Sequence, residues 1–331
     1  MRSNRVTITG LARELGLSIA TVSNALNDKP GVAEATRERV RAAAARAGYL
    51  PNRRAAALRR GRTGIVSLHI PPRTTDLQFY MSFAFGLAET LGDAGFDLLL
   101  GHEGGAASRS GLVDAAVVVD WTPDMRQPAD LLASGVPVVA ADGVPDEALR
   151  PTVRIDADSR RLVSEITAAA ATDGAQTAAL LVTGRSLETE WQREVVAGVT
   201  AAASAAEMPL RVAELAVGSK AGAIIEAVES IVADGPLGVL VCLGERWAGV
   251  AHSVLRYGEP DSPVPRLASC SGDPITELPS PAITAIDLHP HAYGARCGEL
   301  VLTQLRGDAL PERVRWPAEI AWAGHWGPPA S

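Results

Sequence analysis

The residues with the clearest chemical signature lie between Gly16 and Asn27, where small neutral polar side chains recur at helical spacing. Ser18 can cap a short helix because its hydroxyl can accept a backbone N–H. One side of that helix is apolar, with Val22, Ala25 and Leu26; the other side carries Ala20, Thr21, Ser23 and Asn24. Side chains this short allow close approach, and their donors and acceptors suit the edges of DNA bases.

Two further helices must hold this one in place. The first spans about 8–15, with Thr7 as its N-cap, and Gly16 ends it because glycine tolerates the left-handed conformation. After a loop at 27–31, an Arg/Ala-rich third helix spans about 34–47, with most of its arginines directed outward. The three helices predict a minimal all-α bundle over residues 1–50.

A short Arg/Ala helix follows at 53–60, with Asn52 as a possible cap. Eight residues are too few for a helix that is stable alone in water, so we expect it to become ordered only against a partner. Residues 51–62 are therefore interpreted as a hinge helix and linker.

The charge of the chain is divided between its two parts. Residues 1–62 contain 13 Lys+Arg and four Asp+Glu, a balance of +9, whereas 63–331 contain 18 and 34, a balance of −16. A basic head on an acidic body indicates that the head meets a polyanion. The alternative is an ordinary solvated Arg-rich surface.

Short aliphatic runs alternate with helical stretches from residue 65 onward, which predicts parallel sheets covered on both faces. We expect two doubly wound sheets in one α/β core, residues 63–326, with breaks near 156–158 and 287–290. The first half would comprise about 63–156 and 289–322, and the second about 157–288. The strand candidates are 65–70, 96–100, 115–119, 137–141, 152–156, 177–182, 211–215, 238–243, 266–270 and 282–287.

The composition argues against a disulfide-stabilised secreted protein and against a membrane protein. The 331 residues include three widely spaced cysteines, Cys242, Cys270 and Cys297, which predict buried reduced thiols. The N-terminus has no apolar leader pattern, and no apolar run reaches the roughly 18 residues of a membrane span. We therefore expect a cytoplasmic protein that has no membrane partner.

A set of short motifs in the head is shared with one known protein family. The motifs are Val6-Thr7-Ile8, Leu11-Ala12, Gly16-Leu17-Ser18, Ala20-Thr21-Val22-Ser23, Ala25-Leu26-Asn27, Thr36-Arg37-Glu38-Arg39-Val40, Gly48-Tyr49, Pro51-Asn52 and Leu58. With these motifs, the first 60 residues resemble the LacI/GalR family of bacterial transcription regulators, and a weaker resemblance continues to about residue 323. The resemblance implies a helix-turn-helix head, a hinge helix and a core like a periplasmic sugar-binding protein.

The implied function is sequence-specific transcriptional regulation, with repression as the expected direction. A homodimer would bind double-stranded palindromic operator DNA, and a small molecule in the core would modulate that binding. The resemblance places Ile19, Ala20 and Asn24 at base edges. Asn pairs with adenine, whereas the Arg of many relatives pairs with guanine. We therefore predict adenine at the matching operator position; the alternative for Asn24 is a phosphate contact or a solvated side chain.

The remaining predicted DNA contacts position the protein on the DNA or bend the duplex. Small donors suit phosphate oxygens, which position a protein without specifying sequence. Leu58 matches a leucine that wedges into the minor groove and kinks the duplex; the alternative is that it packs on the core. The predicted contacts in this group are Thr7, Ser18, Thr21, Ser23, Asn27, Thr36, Asn52, Arg53, Ala55 and Leu58.

The resemblance weakens where relatives bind their effector. An Arg that relatives place three residues before Gly198 is Val195 here, with Arg193 two residues earlier. Two Asp positions are likewise replaced or displaced, which disfavours an ordinary hexose as effector. The effector could be another small molecule, or absent. The predicted cleft residues are Phe79, Tyr80, Asp142, Asp156, Arg193, Glu245, Trp247 and Asp273; each aspartate could equally be a helix cap, and Trp247 could belong to the core.

Two other function classes remain open. A solute-binding protein or a cytoplasmic sugar-handling enzyme would use the same core, but the sequence has no G-x-S-x-G, P-loop, HExxH or G-x-G-x-x-G motif. The histidines have no metal-ligand spacing, so we expect no catalytic residue, metal or cofactor. The third reading is an architectural DNA-binding protein that responds to no ligand. A ligand that raises the thermal stability would distinguish a regulator from an architectural protein.

Overall fold

A computed structural model gives the fold. It describes residues 7–26, 30–49, 62–71, 77–101, 110–184, 189–257, 265–271, 283–324 and 326. The contacts divide the chain into two compact units, residues 1–62 and residues 63–331. The predicted hinge helix at 53–60 lies outside the described residues.

The first unit contains three helices, α1 (Ile8–Leu15), α2 (Ile19–Leu26) and α3 (Glu34–Arg46). Thr7 accepts the N–H of Gly10 at 3.2 Å, and Gly16 adopts a left-handed conformation with φ of 66°. These observations confirm the predicted cap and stop of the first helix. A small core holds the helices together and contains Leu11, Ala12, Val22, Ala25, Val40, Ala43 and Ala44.

One detail of α3 differs from the outward pattern predicted for its arginines. The Arg37 side chain is only 12% exposed, since its guanidinium donates to Glu34 Oε2 at 3.1 Å and to the carbonyl of Val32 at 3.3 Å. Arg39 donates to the carbonyl of Leu15 at 2.7 Å, which satisfies a carbonyl at the end of α1.

The second unit contains two six-stranded sheets, as the alternating pattern predicted. The first sheet has the order β11-β5-β4-β3-β1-β2, and every neighbouring pair is parallel. Its strands are β1 (Ile65–His69), β2 (Asp97–Leu100), β3 (Ala115–Val119), β4 (Val138–Ala141), β5 (Val153–Asp156) and β11 (Arg313–Arg315).

The second sheet has the order β12-β10-β9-β8-β6-β7 and is parallel except for the pair of β10 with β12. Its strands are β6 (Ala178–Thr183), β7 (Leu210–Leu215), β8 (Val239–Cys242), β9 (Arg266–Ser269), β10 (Thr284–Asp287) and β12 (Glu319–Ala321). The helices of this unit are α4 (Leu77–Asp93), α5 (Arg126–Ala133), α6 (Ser159–Thr172), α7 (Glu190–Ala205), α8 (Ala221–Ala233), α9 (Glu245–Tyr257) and α10 (Pro290–Arg306).

Two strands were not predicted. Strands β11 and β12 have three residues each, too few to display a period-two pattern, and they lie at sheet edges. Strand β12 pairs with β10 in the second sheet, although the sequence-based division placed 289–322 with the first. The chain therefore passes between the sheets after β5, after β10 and after β11.

Helices α4 and α10 pack at very short distance. A Cβ built on Gly86 would lie 1.9 Å from the carbonyl oxygen of His291, and one on Gly294 would lie 1.9 Å from that of Phe83. The two glycines therefore let the backbones touch where no other residue would fit. This reciprocal glycine contact holds the two helices against each other.

Candidate functional site

The outer face of α2 presents the residues predicted to read bases. Ile19 is 43% exposed although it is a large aliphatic residue, Ala20 is exposed and Asn24 is half-buried. Ser18 accepts the N–H of Thr21 at 3.0 Å, so Ser18 is the N-cap of α2, and its Oγ lies 2.8 Å from Thr21 Oγ1. Val22 and Ala25 are fully buried on the opposite side, which orients the polar face outward.

The other predicted DNA contacts divide into two groups. Thr7 is exposed, whereas Ser23 and Thr36 are half-buried on the same unit. Asn27, Asn52, Arg53, Ala55 and Leu58 lie outside the described residues. All of these assignments remain predictions.

Three buried aspartates follow neighbouring strands of the first sheet at their carboxyl ends. Asp120 follows β3, Asp142 follows β4, and Asp156 ends β5; they are 8%, 6% and 8% exposed. Asp120 and Asp142 have positive φ values of 49° and 61°, which are uncommon for residues other than glycine. Ligands of open α/β sheets bind beyond these strand ends, so this edge is the candidate cleft.

Asp142 is held by a tyrosine from α10. Tyr293 Oη lies 3.0 Å from Asp142 Oδ1 and 2.8 Å from the carbonyl oxygen of Ile155. Burial, followed by repulsion from Asp120, raises the pKa of Asp142 well above its ordinary value of 3.8. A phenol has a single hydrogen, so Tyr293 can donate to only one of these two oxygens at a time.

Asp156 is held by two arginines from the edge strand β11. Arg313 donates to both carboxylate oxygens at 2.7 and 3.0 Å, and Arg315 donates to one of them at 2.9 Å. The hydrogen bond with Asp156 is the main cause of the raised pKa of Arg313, and Glu190 contributes through its charge. The carboxylate is thus fully engaged within the protein.

Asp120 is held by α4. Tyr80 donates to Asp120 Oδ2 at 2.6 Å, and Phe79 packs edge-on against Tyr80 with ring centroids 5.3 Å apart. Both aromatic residues are 7% exposed. They lie behind the strand ends and form part of the core beneath the cleft.

A cavity of about 230 Å³ lies beside these strand ends. Both halves of the unit contribute to its walls, since its residues come from the loop after β4, from β5 and β11, and from the starts of α6 and α7. The lining residues are Asp142, Gly143, Asp156, Ala157, Asp158, Ser159, Arg160, Glu190, Trp191, Glu194, Arg313 and Arg315.

Of the predicted cleft residues, the cavity brings together Asp142 and Asp156. Arg193 is exposed on α7 and does not line the cavity, whereas Trp247 is fully buried in the core on α9. Glu245 begins α9, and its N–H donates to Ser271 Oγ at 3.3 Å. Asp273 lies outside the described residues.

Comparisons with known proteins identify the family. Residues 7–52 match the family described as bacterial regulatory proteins, lacI family, and residues 167–322 match the periplasmic binding protein-like domain. The maltose regulon regulatory protein MalI of Vibrio furnissii is 35% identical over 104 residues, which are 31% of this chain and 74% of that protein. The chain belongs to the lacI family.

Other lacI-family relatives match over shorter shares of their length. The HTH-type transcriptional regulator RafR of Escherichia coli is 32% identical over 152 residues, 42% of this chain and 45% of that protein. The match to MalI of Escherichia coli strain K12 covers 29% of that protein. The chain thus matches less than half the length of these two curated relatives.

A solved structure shares the fold along almost the whole chain. The lac repressor dimer bound to operator and the anti-inducer ONPF superposes with a TM-score of 0.77 at 18% identity, covering 97% of this chain and 98% of that chain. The predicted fold class, a helix-turn-helix head followed by a two-sheet α/β core, is confirmed.

Several residues that line the candidate cleft were not predicted from the sequence. Glu190, Trp191 and Glu194 occupy the first turn and a half of α7, and only Thr189, as a possible helix cap, marked that start in the sequence. Arg313 and Arg315 lie on the unpredicted β11, so no signal connected them to Asp156 across more than 150 residues.

Among the residues that the structure describes, this site is accompanied by neither a metal-binding group nor a membrane-spanning helix. Within the described ranges, no group of three or more His, Cys, Asp or Glu side chains could hold a metal ion. The helices built from those residues are also too short or too polar to span a bilayer. Cys242, Cys270 and Cys297 are buried and free, as predicted.

Proposed function

We propose that this protein is a DNA-binding transcriptional regulator that binds a palindromic operator as a homodimer and responds to a small molecule in its core. The observation that carries the proposal is the joining of a lacI-type head to a periplasmic binding protein-like core in one chain. The relatives MalI and RafR are named as regulators, which favours this function over a sugar-handling enzyme. Action on chromosomal DNA would place the protein in the cytoplasm.

The head supports base reading by α2. A helix with exposed Ile19 and Ala20 and a half-buried Asn24 can enter the major groove without a bulky obstacle. Aliphatic contact suits a thymine methyl, and Asn suits adenine. The surplus of nine positive charges in residues 1–62 supplies the phosphate attraction that makes binding depend on salt.

An apolar stripe on α4 supports the homodimer. Leu77, Met81 and Phe85 recur every four residues on one helix face and are 61%, 46% and 57% exposed. Leu100, on the neighbouring edge strand β2, is 61% exposed. Contiguous exposed apolar surface marks an interaction site, and a second copy of the chain would cover it.

The dimer can be tested with Phe85→Glu, which places a charge in the stripe. We expect light scattering to report a dimer for the wild type and a monomer for the variant. Val232→Glu is the matched control, since Val232 is an exposed valine on α8, outside the stripe. A dimeric Phe85→Glu variant would place the interface elsewhere.

The function can be tested by selecting DNA from a random library with the full-length protein. We expect an inverted repeat, and the logarithm of the affinity should fall linearly with the logarithm of salt concentration. Sequencing of the selected DNA reports the repeat, and fluorescence anisotropy measures the affinity. Recovery of no enriched sequence, or of one without two-fold symmetry, would refute a dimeric operator-binding regulator.

The cleft contributes the regulatory part of the proposal. A cavity of about 230 Å³ accommodates a small polar molecule, and its walls are dominated by charged side chains rather than apolar ones. Arg193 and Glu245 do not line this cavity, so recognition would depend on residues of the strand ends and of α7. A thermal-shift screen of small polar metabolites tests the proposal, because a ligand that binds the native state raises the melting temperature.

A further inference from the structure

Glu190 spans the cleft between the two sheets. Its Oε2 accepts the N–H of Val144 at 2.9 Å. Val144 belongs to the loop after β4 of the first sheet, whereas Glu190 is the first residue of α7, which follows β6 of the second sheet. One side chain therefore joins the halves at the wall of the candidate cleft.

Each end of this contact is firmly attached to its own sheet. On the second sheet, Thr189 caps α7 by accepting the N–H of Gln192 at 3.1 Å, and Gln192 Nε2 donates to the carbonyl of Thr183 at 2.9 Å. On the first sheet, the N–H of Asp142 donates to the carbonyl of Ile155 at 3.0 Å. The bond therefore restrains the two sheets and not merely two loops.

The loop after β4 is shaped to receive Glu190. Gly143 has a φ of 104°, and a Cβ built on it would lie 2.4 Å from both Cβ and Oε2 of Glu190. Only glycine allows the carboxylate to lie this close to the loop. Val144 is 1% exposed, so its N–H would be buried without a partner if Glu190 moved away and nothing replaced it.

We propose that Glu190 is a latch that holds the cleft closed in the absence of a ligand. A ligand that enters the cavity must displace the Glu190 carboxylate and offer its own acceptor oxygen to the N–H of Val144. The closure itself is a property of the core alone, whereas its regulatory consequence rests on the proposed function.

The latch can be tested by hydrogen–deuterium exchange of the full-length protein without ligand. A charge-assisted hydrogen bond shifts a two-state equilibrium by roughly tenfold to a hundredfold. In Glu190→Ala, we expect exchange at Val144 and in the cavity segment 157–160 to accelerate by about that factor. Glu190→Gln should accelerate exchange less than Glu190→Ala, because its amide oxygen can accept the same N–H but lacks the charge.

Two measurements keep the result interpretable. Glu229→Ala removes an exposed carboxylate from α8 and should leave the exchange of Val144 unchanged. Exchange within 193–199 reports whether α7 remains folded. If α7 frays in Glu190→Ala, the exchange of Val144 in Glu190→Gln is the measurement that tests the latch. Unchanged exchange at Val144 in Glu190→Ala would overturn the latch, as would a Gln variant that opens as far as an Ala variant with intact α7.

The regulatory consequence has a separate measurement. Operator affinity of Glu190→Ala should differ from that of wild type if cleft closure controls the heads. If exchange shows the cleft open and operator affinity does not change, the latch stands and its coupling to DNA binding fails. If no protein binds operator, the proposed function fails, and the exchange data still test the latch.

Discussion

Replacing Gly86 with alanine tests the contact between α4 and α10. Two effects of opposite sign compete at this position. Alanine stabilises a helix interior by about 0.8–1.0 kcal/mol relative to glycine, so local propensity alone predicts a more stable protein. The packing predicts the reverse, because the new Cβ would lie 1.9 Å from the carbonyl oxygen of His291.

The size of the overlap decides which effect is larger. An ordinary contact begins near 3.4 Å, so the helices would have to separate by about 1.5 Å. The obstructing atom belongs to the backbone and cannot rotate away as the end of a side chain would. Overpacking of this kind costs typically 1–3 kcal/mol, and the backbone obstruction places it at the upper end of that range. We therefore expect a net loss of about 2 kcal/mol, or roughly 4–8 °C in melting temperature.

Urea denaturation followed by tryptophan fluorescence measures this loss in the core, because all six tryptophans lie after residue 120. Gly92→Ala is the control on the same helix, since nothing lies within 4 Å of its added Cβ, and it should be neutral or stabilising. Gly298→Ala meets Thr90 at 3.0 Å and should lose less than Gly86→Ala. A Gly86→Ala protein as stable as Gly92→Ala would refute the packing argument.

Three further predictions concern titration and recognition. Burial lowers the pKa of His69 to about 4, from 6.5, so the unfolded chain binds the extra proton and stability falls by about 3 kcal/mol as pH drops through that interval; urea midpoints for His69→Gln should depend less on pH, and an unaltered dependence would contradict this. Because burial raises the pKa of Asp142, the contribution of this residue to stability is greatest below pH 3.8 and falls by up to about 1.4 kcal/mol per pH unit as the unfolded chain ionises, until pH exceeds the native pKa, a slope opposite in sign to that of His69; Asp142→Asn should remove the Asp142 part of the pH dependence. Finally, Asn24→Ala should abolish an adenine preference in selected operators, and guanine there, unaffected by the substitution, would contradict base reading by Asn24.

The helices and strands that were predicted correctly from the sequence are determined by residues that lie close together in the chain. Helix α1 was predicted at its observed bounds because Thr7, Gly16 and the apolar spacing between them are all contained in ten residues. The ten predicted strands appear within two residues of their expected ends because each is a short run rich in aliphatic residues, and most of these runs are buried. Such signals do not depend on the rest of the fold.

The parts that sequence reasoning missed are defined by distant partners. Arg313 and Arg315 acquire their role from Asp156, and Glu190 acquires its role from Val144. Nothing near these residues distinguishes them from ordinary surface charges. Trp247 illustrates the converse. The family resemblance placed it in the loop where relatives bind their effector, and the structure places it fully inside the core, which was the stated alternative.

The glycine contact between α4 and α10 also determines how a displacement at the cleft can reach the exposed apolar stripe of α4. Tyr293 on α10 holds Asp142, and Tyr80 on α4 holds Asp120, so both helices reach the strand ends. The opposite face of α4 carries Phe85, which we propose lies in the dimer interface. Because the backbones of the two helices are in direct contact, a displacement of one helix is transmitted to the other. A change at the strand ends that displaced either tyrosine should therefore displace the stripe as well, because Tyr80 and the stripe share α4 and Tyr293 lies on the helix in contact with it.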